Sequence, residues 1–227
     1  MTAYRAVLFD FFGTLTTAVS RGPAHRNIAR WLGCDPRAFA AALNDTFLER
    51  ARGGYGPPAR ALRRVTDAVG GRPSRAQLAM AQPLRMAAVQ ADTSLREDAV
   101  PVLRAVKARG LRTGLISDCG PELPRYLPTL PIAPLLDTCV YSIEVRACKP
   151  DPAMYLTACR RLLVEPRECL YIGDGGSQEL SGARAVGMTA IRLAAPDLAG
   201  HLRFNGEQGW TGPAARSLTE ALSYLDA

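Results

Sequence analysis

The chain alternates short apolar runs with longer stretches in which apolar residues recur every three or four positions. Val7-Leu8-Phe9 is the first such run; it ends at Asp10 and gives way to Gly13, the pattern of a buried strand leading into a turn. Residues 113–117, 138–142, 169–173 and 189–193 repeat that pattern and predict four more strands. Helical patterning fills the intervals. Residues 96–109 stop at Gly110, residues 179–186 stop at Gly187, and Asp151-Pro152 supplies an N-cap and a first-turn proline for a helix reaching about Leu163. Strands alternating with helices predict an α/β fold built on a doubly wound parallel sheet.

One interval breaks the rhythm. A crossover between parallel strands needs a few tens of residues, yet roughly 100 separate the first strand from the second. Nearly all of that segment is helical in pattern. Asp35-Pro36 opens a helix over residues 37–52, Pro57-Pro58 precedes a second, and Ser74 opens a third, with Gly53-Gly54-Tyr55-Gly56 as a turn cluster between them. The economical reading is a small all-helical domain over residues 16–93, inserted into an α/β core made of residues 1–15 and 94–227. Arg21, Arg26, Arg52 and Tyr55 are its candidates to face a substrate.

Composition removes several function classes. Apolar residues make up 48% of the 227, enough to bury a core. No stretch is long enough to span a bilayer, and the N-terminal run lacks the pattern of a secretory leader, so a cytoplasmic protein without membrane partners is expected. The six cysteines form no C-x-x-C pairs, and His25 and His201 stand alone, expected as surface or inserted-helix histidines. A histidine triad and a histidine-rich metal site therefore lack support. The net charge of +7 comes from scattered arginines without a basic helix or aromatic interleaving, so nucleic acid is not the expected partner and a small anionic substrate is. Neither G-x-G-x-x-G nor G-x-x-x-x-G-K-[ST] follows the first strand, which argues against a dinucleotide or P-loop site.

What remains is a set of polar residues at strand ends, where open parallel sheets bind ligands: Asp10, Ser117-Asp118, Lys149 and Asp174. Lys149 stands out because the chain has only two lysines, Lys107 and Lys149, and uses arginine elsewhere. A compact point charge is a reason to choose lysine.

These residues fall into motifs resembling the haloacid dehalogenase (HAD) superfamily. Asp10-Phe11-Phe12-Gly13-Thr14-Leu15 is similar to its D-x-D-G-T-L motif, and Leu115-Ile116-Ser117 to its second motif. Lys149-Pro150-Asp151-Pro152 with Tyr155 resembles the third, and Gly173-Asp174-Gly175-Gly176-Ser177-Gln178-Glu179 the fourth. The resemblance implies a HAD-like, Rossmann-type core with a helical cap and an aspartate nucleophile, Asp10, assisted by Ser117 and Lys149. It implies phosphate binding by Ser117, Asp118 and Lys149, and Mg²⁺ held by Asp10, the backbone carbonyl of Phe12, Asp174 and Glu179. A magnesium-dependent phosphatase acting on a small phosphorylated metabolite is the leading expectation.

Phe12 departs from the pattern. Phosphatases of the superfamily carry there a second aspartate that protonates the leaving group, and phenylalanine transfers no proton. Haloacid dehalogenases also lack that aspartate, and halide leaves unprotonated. Dehalogenation is therefore the second expectation, and a HAD-fold binding or regulatory protein the third. Asp174, Glu179 and Asp118 weigh toward the phosphatase.

Overall fold

The computed structural model describes residues 4–226. Six strands form one parallel sheet: β1 (Ala6–Phe9), β2 (Arg112–Ser117), β3 (Thr138–Tyr141), β4 (Cys169–Gly173), β5 (Thr189–Leu193) and β6 (Ala214–Ala215). Their order is β3-β2-β1-β4-β5-β6. The chain thus builds outward from β1 on one side, returns, and builds outward on the other. The order reverses beside β1, and a crevice opens there at the carboxyl ends of the strands.

Alternation along β1 explains how both faces are filled. Val7 and Phe9 join one core with helix residues Val102, Leu103 and Leu218, while Ala6 and Leu8 join the other with Met154, Tyr155 and Leu180. A strand buried on both faces has no polar position to spare, which is why these runs are apolar throughout.

Five of the helices between β1 and β2 pack together: α1 (Pro23–Trp31), α2 (Pro36–Asp45), α3 (Phe47–Ala51), α4 (Pro58–Ala68) and α5 (Arg75–Ala91). They enclose a hydrophobic cluster of their own, with Ile28, Phe39, Leu43, Leu62, Val65 and Leu78 buried in it. Asp35 caps α2 by accepting from the Arg37 and Ala38 amides, and Ser74 forms a reciprocal cap with Gln77 on α5. The single helix expected over residues 37–52 is two helices. At Thr46 the side-chain hydroxyl bonds back to the Ala42 carbonyl at 2.6 Å, a contact that competes with helix continuation. The remaining helices serve the sheet: α6 (Ala99–Ala108), α7 (Leu123–Tyr126), α8 (Ser142–Val145), α9 (Pro152–Leu162), α10 (Glu179–Ala185) and α11 (Leu218–Ala221). The two-residue β6 has no counterpart among the expected strands, because two residues carry no periodicity. No helix among the described residues is long and apolar enough to cross a membrane.

Candidate active site

Asp10 leaves β1 at the point of reversal, and its amide is bonded to the Ile172 carbonyl at 2.9 Å. The turn that follows closes tightly. The Thr16 amide reaches back to the Phe11 carbonyl (3.0 Å), the Gly13 amide donates to the Thr16 hydroxyl (2.9 Å), and Gly13 takes a φ of 81° that favours glycine. Arg96, from the segment before α6, clamps the same turn by donating to the Thr14 and Gly13 carbonyls, and is itself paired with Asp197 at 2.8 Å.

Lys149 lies under this turn, 4% exposed. Its Nζ donates to Asp10 at 2.6 Å and to Glu179 at 2.5 Å. Burial of an ammonium is expensive, and two carboxylates within bonding distance offset it. Burial pulls the Lys149 pKa down, but Asp10, Glu179 and Asp118 outweigh it and hold the group well above its ordinary value. Glu179 is fully buried at the start of α10. Its second oxygen accepts the Gly175 amide (2.9 Å), and Tyr171 donates to the first (2.8 Å). One ammonium cannot neutralise two carboxylates. Burial, then the partly offsetting charges of Lys149 and Asp174, leaves the Asp10 pKa at about 6, so the group is ionised at neutral pH. Burial and the Asp10 charge likewise raise Glu179.

Asp118 holds the Lys149 amide at 3.0 Å through one oxygen, while its other oxygen is buried without a partner; burial raises its pKa. The Ser117 hydroxyl, at the end of β2, and the Thr14 hydroxyl are also buried and unpartnered. Unsatisfied buried hydroxyls are costly in isolation, and the one on Ser117, the residue before cleft-lining Asp118, suits an oxyanion. Phe12 is half-buried, packed edge to face on Phe11 with ring centroids 4.9 Å apart, and lines the cleft beside Asp10.

Asp174 has a different set of partners. One oxygen accepts the Gly176 amide (2.9 Å); the other accepts Arg203 Nε at 2.6 Å and lies 3.6 Å from His201 Nε2. His201 is not a surface residue: its side chain is 3% exposed, and its Nδ1 accepts the Val19 amide at 2.8 Å. Burial lowers its pKa, so it is neutral with its proton on Nε2. His25 is likewise buried, 2.9 Å from Asp92. His25 sits on the inserted helix α1, one of the two placements expected, whereas His201 is not at the surface; aspartates distant in sequence hold both side chains in. Among the expected substrate-facing residues only Arg21 lines the catalytic cleft, together with Arg50 and Arg85. Arg26 lines a separate depression, Arg52 pairs with Glu49 (3.5 Å), and Tyr55 stacks under Arg64.

The donor set suits a hard divalent cation. Asp10, Asp174 and Glu179 are all buried, and one oxygen from each lies within 4.8 Å of the others. Their mutual repulsion, which adds to burial in raising Asp10 and Glu179, is what such a cation relieves. Arg203 already occupies an oxygen of Asp174, so the cation and the guanidinium compete there. Arg203→Gln should strengthen Mn²⁺ or Mg²⁺ binding about tenfold, the weight of one charge-assisted hydrogen bond, as measured by calorimetry or Mn²⁺ resonance. Unchanged or weakened binding would remove Arg203 from this role.

Comparison with known proteins places this geometry in a family. The haloacid dehalogenase-like hydrolase model matches residues 4–187. The (S)-2-haloacid dehalogenase 1 of Pseudomonas sp. (strain CBS-3) is 34% identical over 103 residues, 45% of each chain. The glyceraldehyde 3-phosphate phosphatase of Methanopyrus kandleri is 31% identical over 98 residues, 42% of each. The matched region thus spans under half the length of these relatives. A crystal structure of the L-2-haloacid dehalogenase RSc1362 superposes with a TM-score of 0.68 over the whole of both chains at 23% identity, a likeness of fold. The chain belongs to the haloacid dehalogenase-like hydrolases.

Proposed function

We propose that this hydrolase is a magnesium-dependent phosphatase of small organic phosphates, with the helices α1–α5 acting as its cap. The observation that carries the reading is the buried trio Asp10, Asp174 and Glu179, with carboxylate oxygens within 4.8 Å of one another. A carbon–halogen substrate makes no demand for that much negative charge, whereas a cation shared with a phosphate dianion does.

In this mechanism an Asp10 carboxylate oxygen attacks phosphorus, the ester P–O bond breaks, and the leaving oxygen departs with its electron pair. Water then hydrolyses the aspartyl phosphate, freeing inorganic phosphate and restoring Asp10. Lys149 holds Asp10 in place and neutralises charge, while the Ser117 hydroxyl and the Asp118 amide receive phosphoryl oxygens. Mg²⁺, held by Asp10, the Phe12 carbonyl, Asp174 and Glu179, would supply electrostatic stabilisation of the phosphoryl group. Phe12 donates no proton to the leaving group. Asp118, its carboxyl raised by burial and lining the same cleft, is the alternative proton carrier that an Asp118→Asn variant tests.

Phosphate release from sugar, nucleotide and aryl phosphates, with Mg²⁺ and with chelator, tests the reading. Release that requires both Mg²⁺ and Asp10, and disappears in Asp10→Asn, is expected. Dehalogenation is the second reading, favoured by the apolar Phe12. Halide release from 2-haloacids in chelator, with no phosphate release, would establish it instead.

A further inference from the structure

The catalytic cleft, of about 150 Å³, does not end at the reacting groups. Arg50, Arg85, Gly120 and Glu122 line it and also line a second, larger cavity of about 350 Å³ between the inserted helices and the sheet. Four arginines border that second cavity, Arg50, Arg85, Arg125 and Arg146, against a single acidic residue, Glu122. Its remaining wall is largely apolar, with Leu43, Leu62, Val65, Met86 and Ile143 among the residues.

Glu122 does not account for this charge. It pairs with Arg85 Nη2 at 3.1 Å, which leaves Arg85 Nη1 buried without an acceptor. Arg50 is tethered by neutral groups only, the Thr46 hydroxyl (3.0 Å) and the Leu43 carbonyl (2.7 Å), which aim its guanidinium but do not neutralise it. Burial first, and then the neighbouring Arg85, pushes both Arg50 and Arg21 down to about 10, as expected of guanidiniums crowded without enough counter-charge. Structural arginines are ordinarily paired or solvated. Half-buried Arg50 and Arg85 with a free buried donor on Arg85 instead suit an oxyanion.

We propose that this arginine-lined cavity binds a second anionic group, a carboxylate or a phosphate, at the far end of a substrate whose reacting group lies at Asp10. The substrate class is then a small organic phosphate with a short, partly apolar body and an oxyanion at each end. The body spans the cleft, Arg85 and Arg50 bind the distal oxyanion where the two cavities join, and Arg125 and Arg146 add positive charge beyond. This assignment rests on the phosphatase reading for the reacting end only.

Equilibrium binding separates the two. Alkylphosphonates of two to six carbons, which Asp10 cannot hydrolyse, are compared by calorimetry with the same chains ending in a carboxylate or a second phosphonate. Dicarboxylates are compared with monocarboxylates of matching length, to probe the cavity alone. At the best chain length the terminal oxyanion should tighten binding about tenfold. That gain should vanish in the chain carrying Arg85→Met with Glu122→Gln, which removes the pair without stranding a buried charge. It should shrink in Arg146→Gly, a change suited to the φ of 61° at that residue. No gain from a terminal oxyanion in either series overturns the proposal, as does a gain that survives both variants. Dicarboxylates that show the gain while phosphonates fail to bind would uphold the cavity and sink the phosphatase reading.

Discussion

Phe12→Asp should raise turnover of an alkyl phosphate by on the order of 10²–10⁴, the usual contribution of a positioned general acid, while changing that of an aryl phosphate far less. The reasoning lies in the leaving group. An alkoxide leaves poorly unless a proton reaches it in the transition state, whereas a nitrophenolate leaves without one. Phe12 is half-buried, lines the cleft with Asp10, and makes its closest aromatic contact with Phe11 at 4.9 Å. Its loss gives up that ring pair, worth about 0.5–1.5 kcal/mol, and the partial burial of the ring, together within what a fold can absorb. Steady-state kinetics on matched alkyl and aryl phosphates gives the answer. Equal gains on both would mean that protonation does not limit the reaction. A small gain on both, with a large loss on alkyl phosphates in Asp118→Asn, would mean that Asp118 already carries the proton.

Lys149→Met should destabilise the protein by about 3–5 kcal/mol and abolish turnover, because it removes the one ammonium bonded to Asp10 and Glu179 while leaving both carboxylates buried. A methionine of similar length keeps the volume, so cavity formation does not explain the loss. The pH dependence identifies the cause. In the variant the folded-state carboxyls are raised further above their unfolded values, so the penalty grows as pH rises and is complete only above the folded values. It fades as pH falls toward the unfolded carboxyl range near 4 and the groups take up protons. Urea unfolding at pH 7.5 and pH 4.5 measures both limits. A deficit that is the same at the two would show that packing, and not stranded charge, is lost.

The two predictions differ in how much of their basis was visible in the chain alone. The strand ends were legible because a strand buried on both faces must be apolar throughout and can turn polar only where it emerges. Asp10, Ser117, Asp174 and the helix caps at Asp35, Ser74 and Asp151 follow from such local rules, in which each residue answers to neighbours within four positions. The parallel α/β class follows from the spacing of the runs. Lys149 was legible for a different reason, as one of two lysines among many arginines.

Local rules stop at contacts that cross the sheet. Lys149 reaches Asp10 across 139 positions and Glu179 across 30, and no pattern in either segment encodes which carboxylates will meet it. Arg203 and His201 on Asp174, Arg96 on the Asp10 turn, and Arg50 and Arg85 in the cleft are the same case. An arginine on an exposed helix face and one aimed into a cavity have the same local sequence signature, since both need a long stem along an apolar surface. The burial of His25 and His201 is the same case: it depends on Asp92 and Asp174, which only the fold brings within reach. By itself, then, the sequence determined the class of sheet, the strand ends and the nucleophile's turn, because backbone geometry and burial act over a few residues. Tertiary structure alone decided which charges face one another and where the surplus positive charge collects, because Coulomb interactions depend on distance in space and not on distance along the chain.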